Sequence, residues 1–366
     1  MPEPFKQKPR PEGASIGQIF VEDVKRTHFG RDYGQELKQL YYFYLDAERR
    51  DKLAGMGRIR RSISMIAWLL KSLFLKLSPT RRLMLVAAFL ATIAGNTHLD
   101  RVTIDFRPIG FLLLLIVLML ELKDKLVAKD EIAVARQVQI ALLPRVHPDI
   151  PGWEVWSYSR PANDVGGDLI DYVELDGFRH GIVLGDVAGK GLGAALLTAK
   201  LQATLRAVLP DIVTLDDLGQ RVNNIFYSDA FDNRYATLFF AQLEHNSDQL
   251  RYLNAGHNPA FVIRSDSVEK LHASSYPLGM LAGAEYEEGA IEMQPGEIML
   301  IYSDGLTEAF NDQDEEFGME RLEAMLPELR SLAPAEIGAH LLRTVEDFMG
   351  GVRPGDDLSL AIIVKR

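Results

Sequence analysis

Four stretches of the chain place an aspartate where an apolar run meets a turn. These residues, with a fifth carboxylate beside the last of them, are Asp168, Asp186, Asp304, Asp356 and Asp357. One Asp-Gly pair is usually turn chemistry, but acids at several strand ends form a candidate site. Carboxylate oxygens without histidine or thiolate support select hard cations such as Mg²⁺ or Mn²⁺. Two such ions about 3.5–4 Å apart can activate a water and clamp a phosphoryl group.

The stretch around Asp186 illustrates the pattern. The apolar run Gly181–Leu184 predicts a buried strand, and Gly185-Asp-Val-Ala-Gly-Lys-Gly191 follows it as a flexible turn. The nearest alternative is a phosphate-binding P-loop, which needs four residues between its glycines and a Ser or Thr after the lysine. Here three residues intervene and Gly191 follows Lys190. The sequence therefore favours a metal site.

Composition excludes several classes of function. The chain has 366 residues and no cysteine, which excludes disulfides, thiolate zinc sites and cysteine nucleophiles. Residues 1–130 carry 22 Lys and Arg against 14 Asp and Glu, whereas residues 131–366 carry 18 against 37. Because a nucleic acid demands a basic surface, the acidic second part is not expected to bind one.

The basic first part predicts a helical membrane anchor. We expect an N-terminal tail and amphipathic helices over residues 1–81, and an apolar helical hairpin over residues 82–122. Its two arms are residues 82–98 and 104–122. Their apolar centres, Leu83–Gly95 and Ile109–Leu120, are uncharged, and basic residues crowd the outer flanks. That asymmetry places both ends in the cytoplasm under the positive-inside rule. The alternative is a soluble helical dimer core that buries the same residues, and a homodimer is expected in either case.

A charged linker helix over residues 123–144 and a separate domain over residues 145–366 are predicted next. Within that domain, short apolar runs alternate with turns, and helices are interposed in pairs. The predicted strands are Glu154–Tyr158, Gly181–Leu184, Ala236–Leu243, Leu250–Leu253, Ala260–Ile263, Ile298–Tyr302 and Leu360–Val364. The predicted helices are Ala194–Val208, Leu215–Phe231, Met319–Leu326 and Pro334–Met349. This succession predicts an α+β fold with mostly antiparallel sheet, after an all-α N-terminal region.

Five motifs occur in order in this domain. They are Pro161-Ala-Asn-Asp-Val-Gly-Gly-Asp168, Gly185-Asp-Val-Ala-Gly-Lys-Gly-Leu-Gly-Ala-Ala-Leu196, Asn254-Ala-Gly-His-Asn-Pro259, Tyr302-Ser-Asp-Gly-Leu-Thr-Glu308 and Asp356-Asp-Leu-Ser-Leu360. From about Ala133 to Arg366 the chain resembles the PPM-type (protein phosphatase 2C-like) domain of bacterial serine/threonine phosphatases. The branch it resembles is the stress-response and sporulation one, which is SpoIIE/RsbU-like.

The resemblance implies an αββα sandwich of two antiparallel sheets flanked by helices, with two Mn²⁺ or Mg²⁺ ions at one end. The implied ligands are Asp168, Asp186, the Val187 carbonyl, Asp304 and Asp356. Asp186 would bridge both ions, and Asp186 and Asp304 are the expected catalytic residues. Asp357 and Gly167 are expected to support the ligands.

Two further residues have open roles. His257 matches a family motif, and a structural histidine in a turn is the favoured interpretation. The phosphate-binding arginine of eukaryotic relatives is not apparent near the start of the domain. Arg160 precedes the first motif and is a candidate for that role.

The implied function is hydrolysis of phosphoserine or phosphothreonine through an activated water, on an anti-anti-sigma-type regulator. The alternative is an inactive pseudo-phosphatase that binds a partner without turnover. The expected location is the bacterial cytoplasmic membrane, with the catalytic domain in the cytoplasm. A wholly cytoplasmic protein is the alternative.

Overall fold

A computed structural model describes residues 52–53, 55–99, 102–144, 146–228 and 234–366. The predicted tail and helices before residue 52 lie outside the described residues. The chain divides into two compact units, which meet in sequence between Lys125 and Leu126. The predicted domain boundaries at residues 81, 122 and 144 stay predictions.

The described part of the first unit contains helices and a small two-stranded sheet. The helices are α1 (Arg58–Lys76), α2 (Pro79–Ala94) and the start of α3 (Arg107–Leu142), and the strands are β1 (Asn96–Leu99) and β2 (Val102–Asp105). β1 and β2 pair antiparallel. The sequence predicts this segment as a short link, and the structure adds a two-stranded hairpin to it. A four-residue strand is too short to be recognised by its periodicity.

Helices α2 and α3 pack closely through small residues. A Cβ on Gly110 of α3 would lie 2.6 Å from Thr92 Oγ1 and 2.8 Å from the Ala88 carbonyl oxygen of α2. At the other end of the pair, the Arg81 guanidinium contacts Glu121 at 2.7 Å and Asp124 at 2.6 Å. Close approach at small residues is typical of helix pairs in membranes.

The second unit contains two five-stranded antiparallel sheets, in the orders β10-β7-β6-β5-β4 and β3-β12-β11-β8-β9. The first sheet is built from β4 (Asp168–Glu174), β5 (Arg179–Val187), β6 (Ala236–Glu244), β7 (Gln249–Ala255) and β10 (Glu288–Glu292). The second is built from β3 (Trp153–Arg160), β8 (Ala260–Ile263), β9 (Val268–Leu271), β11 (Ile298–Tyr302) and β12 (Leu358–Lys365).

Four helices cover the outer faces of these sheets. Helices α4 (Leu192–Val208) and α5 (Leu215–Ser228) follow β5, whereas α6 (Gly318–Met325) and α7 (Pro334–Met349) lie between β11 and β12. The predicted α+β sandwich with outer helices is confirmed.

Alternation along the strands builds the three apolar layers. On β5, Ile182 and Leu184 point into the core between the sheets, whereas Val183 points toward the layer under α4 and α5. Side chains alternate between the faces of a strand, so one strand serves two cores. A third apolar layer lies between the second sheet and α6 and α7. This packing leaves one end of the sandwich to the loops that carry the aspartates.

Candidate metal centre

Strand pairing brings the first two aspartates face to face. Asp168 begins β4 and Asp186 lies near the end of β5, and the register of this pair places them directly opposite each other. The loop before Asp168 also approaches the end of β5 very closely. A Cβ on Gly167 would lie 2.9 Å from the Val187 carbonyl oxygen and 3.3 Å from Asp186 Oδ1. Gly167 is therefore needed for the approach of this loop to the predicted ligands.

The second sheet supplies the other three acids. Asp304 follows β11 at the start of a single 3₁₀ turn, and Asp356 and Asp357 directly precede β12. The two strand ends are joined by hydrogen bonds: the Ser303 amide donates to the Ser359 carbonyl at 2.9 Å, and the Ser359 amide donates to Ser303 Oγ at 2.8 Å. These bonds hold Asp304 beside the acid pair.

Asp357 anchors the loop that leads to Asp168. Its buried carboxylate accepts hydrogen bonds from the Ala162 amide at 2.7 Å and from the Gly167 amide. On the other side of the same loop, the Gln139 side chain of α3 donates to the Gly166 carbonyl at 2.7 Å and accepts from the Gly166 amide at 3.0 Å. These contacts suit the supporting role expected for Asp357 and Gly167.

Asp168 is the most unusual carboxylate of the group. It is 5% exposed, and neither carboxylate oxygen has a hydrogen-bond partner among the described residues. Burial, and then the charge of Asp186, raise its pKa well above the ordinary value. The nearby hydroxyls of Ser303 and Ser359 donate instead to the Asp357 carbonyl and to Ser159. A buried carboxylate without a partner is costly unless a cation compensates it.

The acids also raise one another's pKa. Burial, followed by the charges of Asp304 and Asp356, raises the pKa of Asp186 to about 7. Burial, followed by the charge of Asp356, raises the pKa of Asp304 to about 6. A bound divalent cation would favour the ionised forms of all these groups.

The donor set therefore fits hard cations in type and charge. It consists of carboxylate oxygens and one backbone carbonyl, which Mg²⁺ and Mn²⁺ prefer. Within the described residues, however, no three such side chains already converge on one point.

Lys190 lies at the same end of the sandwich as the acids, and the sequence does not assign it a role. Its Nζ lies 2.8 Å from Asp356 Oδ2 and donates to the Gly355 carbonyl at 2.8 Å. The motif therefore supplies a cation that partly neutralises the acids. Its position next to Asp356 depends on the pairing of distant strands, so spacing along the chain could not reveal it.

His257 contacts the residue that is paired with Asp186. Its Nδ1 is 2.8 Å from the hydroxyl of Thr237, the residue paired with Asp186 across the ladder. The Asn254 side chain accepts a hydrogen bond from the His257 amide at 2.8 Å. Burial lowers the pKa of His257 to about 4, so the ring is neutral at pH 7. These contacts suit a structural histidine.

Arg160 is turned away from the acids. Its guanidinium pairs with Glu346 on α7, which occupies the group that a phosphate would need. The exposed arginine beside the loop after Asp186 is Arg234, which directly precedes Tyr235 and β6. Sequence reasoning missed it, because only the β5–β6 pairing brings it there.

Solved structures place this architecture in a known fold class. The chain superposes on the SiaA-PP2C domain of Pseudomonas aeruginosa with a TM-score of 0.58 and 20% identity. The match covers 66% of this chain and 98% of that domain's chain. At that identity the match establishes the fold, which is that of PP2C-type domains.

The family follows from the sequence comparisons. Residues 176–366, more than half of the chain, match the family described as Stage II sporulation protein E (SpoIIE). The chain belongs to this SpoIIE family.

Two curated relatives are similar over half of the chain. Protein IcfG of Synechocystis sp. is 29% identical over 55% of this chain and 36% of its own length. Phosphoserine phosphatase RsbP of Bacillus subtilis is 29% identical over 50% of this chain and 46% of its own length. The chain thus spans less than half the length of either relative.

Proposed function

We propose that this protein is a metal-dependent phosphatase acting on phosphoserine and phosphothreonine in a protein substrate. The observation that carries the proposal is the buried carboxylate of Asp168, which has no hydrogen-bond partner among the described residues and is paired across the sheet with Asp186. A relative that bears the name phosphoserine phosphatase supports the choice of reaction.

The residues proposed to hold two Mn²⁺ or Mg²⁺ ions share oxygen donors at one end of the sandwich. They are Asp168, Asp186, the Val187 carbonyl, Asp304 and Asp356. When bound, such ions supply an activated water and positive charge for the phosphoryl oxygens. The chain itself fixes the loops: Asp357 holds the loop before Asp168, and the Ser303–Ser359 bonds hold Asp304.

The alternative is a pseudo-phosphatase that binds a partner without turnover. Loss of a ligand acid would favour it, and all the carboxylates expected from the resemblance are present. Phosphate release from phosphoserine and phosphothreonine proteins by the purified full-length protein with Mn²⁺ separates the two. A folded protein that releases no phosphate supports the pseudo-phosphatase.

We propose a phosphorylated regulator of the anti-anti-sigma type as the substrate. The support is the SpoIIE family membership, which is an analogy at the level of the family. The Asp304→Asn variant should retain phosphorylated substrate and capture it from cells. Recovery of unrelated phosphoproteins alone would defeat this choice.

We further propose that residues 82–122 insert in the cytoplasmic membrane and hold a dimer there, with the catalytic domain in the cytoplasm. The supporting observation is apolar exposure: Leu83 is 73% exposed and Phe89 is 64% exposed on α2. A contiguous exposed apolar surface marks a membrane or protein contact.

Helix length and composition do not favour residues 82–122 as the membrane segment. Among the described residues they single out one stretch that could cross a membrane, Leu192–Asp211, of which 39% is buried. That stretch contains α4, whose Leu201 and Leu205 lie in the core under the first sheet. α2, with 16 residues, is about 24 Å long, which is shorter than a typical hydrocarbon core of about 30 Å. The soluble dimer core therefore stays as the alternative outcome of the fractionation described below.

A further inference from the structure

Arg234 lies beside the loop that follows Asp186. The Ala188 amide donates to the Tyr235 carbonyl at 2.9 Å, and Val187 pairs with Ala236. Arg234 is thus one residue beyond the last hydrogen bond between β5 and its neighbour. Its backbone runs next to the turn that connects Asp186 to α4.

The Arg234 guanidinium packs on Gly193, in the first turn of α4. A Cβ on Gly193 would lie 3.0 Å from Nη2 and 3.1 Å from Cζ, and closer still to Nη1. Glycine at this position therefore makes room for the guanidinium group. The side chain of Arg234 is exposed, and among the described residues no carboxylate forms an ion pair with it.

Two other cations of these loops already have partners. Lys190 is bound to Asp356 and to the Gly355 carbonyl, and Arg160 is bound to Glu346. Within the part of the chain that the structure describes, the N–H donors of Arg234 have no hydrogen-bond partner. A guanidinium presents a planar fork of donors that matches two phosphate oxygens, and such charge-assisted pairs are among the strongest hydrogen bonds.

We propose that Arg234 binds the phosphoryl oxygens of the phosphorylated substrate. The inference rests on the proposed phosphatase function and names the residue that recognises the phosphate there. A substrate dianion approaching five carboxylates is repelled unless cations offset them, and Arg234 is a positive group beside the turn that follows Asp186. Gly193 positions the fork by leaving space for it.

The first test is Arg234→Ala in the full-length protein. We expect KM for a phosphoserine peptide and Ki for inorganic phosphate each to rise about tenfold or more, because a charged hydrogen bond to the phosphate is lost. The affinity for Mn²⁺ should not change. Arg234→Lys should recover only part of the loss, since lysine keeps the charge but not the fork.

Gly193→Ala tests the positioning independently. Alanine favours the helix more than glycine does, so the melting temperature should be unchanged or higher. The added methyl group should nevertheless displace the guanidinium and raise KM and the phosphate Ki. The double variant should be no worse than Arg234→Ala alone. Arg343→Ala is the matched control, since Arg343 is an exposed arginine on α7, and it should leave both constants unchanged.

Calorimetric titration of inorganic phosphate, with Mn²⁺ present, separates this inference from the proposed function. Tight binding by the wild type and weak binding by Arg234→Ala supports the assignment even if no substrate is turned over. Equal binding by both proteins, or no binding by the wild type, overturns the Arg234 assignment. Phosphate release would in that case still decide the phosphatase activity.

Discussion

Residues 126–366 and residues 58–125 depart in opposite ways from the usual distribution of polar and apolar groups. The first region buries a carboxylate, Asp168, whose two oxygens have no partner among the described residues. The second region exposes large apolar side chains, and Phe111 on α3 is 68% exposed. Either feature costs free energy for the chain in water, the first by desolvating a charge and the second by hydrating apolar surface.

The difference indicates two kinds of partner. The charge of a few buried acids at one end of the sandwich can be compensated by small positive ions, which is why we propose metal cations there. An apolar surface along two helices is compensated by something large and apolar, for which we propose the membrane. In this account the catalytic chemistry belongs to the first region and the location in the cell to the second.

The largest expected effect is on turnover. Asp304→Asn removes one negative charge from the proposed ligand set at nearly constant volume. We expect phosphate release to fall at least about a thousandfold, which is roughly 4 kcal/mol of transition-state stabilisation. Asp312→Asn is the control, because Asp312 is exposed on a nearby loop. A wild-type rate in Asp304→Asn would mean that the wrong acids have been chosen.

Membrane attachment should follow the second region alone. We expect the full-length protein to stay with the membrane pellet through a carbonate wash. Phe111→Lys should move part of it to the soluble fraction, since a lysine in a spanning helix costs about 2.5–3.5 kcal/mol. Phe178→Lys is the matched control, because Phe178 lies in the other region, residues 126–366, and is 69% exposed.

Two results would contradict the membrane proposal. A wild-type protein that washes into the soluble fraction would make residues 58–125 a soluble regulatory module. Equal release by both phenylalanine variants would show that the surface of α3 plays no special part.

A smaller effect is expected on stability. Because the pKa of Asp186 is about 7 in the fold and 3.8 ordinarily, the unfolded chain ionises first as the pH rises. Without metal, the protein should therefore lose stability between about pH 4 and pH 7. In chelator at pH 8, Asp186→Asn should raise the free energy of unfolding by about 1–3 kcal/mol, and at pH 4 by almost nothing.

In excess Mn²⁺ the wild type should instead be more stable than Asp186→Asn, because the metal binds the wild type and not the variant. Denaturant unfolding followed by circular dichroism measures both conditions. A variant that is less stable than the wild type in chelator at pH 8 would show that Asp186 is not strained by its neighbours.

The smallest effect is expected at His257. His257→Ala should cost about 1–2 kcal/mol of stability, because it removes the 2.8 Å hydrogen bond between the ring and the Thr237 hydroxyl. The rate of phosphate release should change less than tenfold. A loss as large as that of Asp304→Asn would place His257 in the chemistry.

Much of the sandwich could be predicted from the sequence. The strands Ala260–Ile263 and Ile298–Tyr302 and the helix Pro334–Met349 have the predicted bounds. The two strands are continuous apolar runs with four and five buried residues, and the helix has a proline at its first position and Gly350 after its end.

Within the sandwich, the strands that sequence reasoning missed lie at the edges of the sheets. They are β4, β9 and β10. An edge strand pairs on one side only and needs less apolar character, and β9 and β10 are partly exposed. Their periodicity is correspondingly weak.

The candidate site divides in the same way. The acids stand in motifs that can be recognised along the chain. The contacts of Lys190 with Asp356 and of Arg234 with Gly193 join residues that are distant in sequence. These contacts depend on strand pairing and on the space that a glycine leaves, and no local pattern encodes them.

The most direct test of the central claim is a metal titration of turnover. The full-length protein, stripped with chelator, is given a phosphoserine protein while Mn²⁺ is added back, and the released inorganic phosphate is measured. We predict no release in chelator and saturable recovery with Mn²⁺. Release that is equally fast in chelator, or a folded protein that releases no phosphate at any Mn²⁺ concentration, would contradict the account.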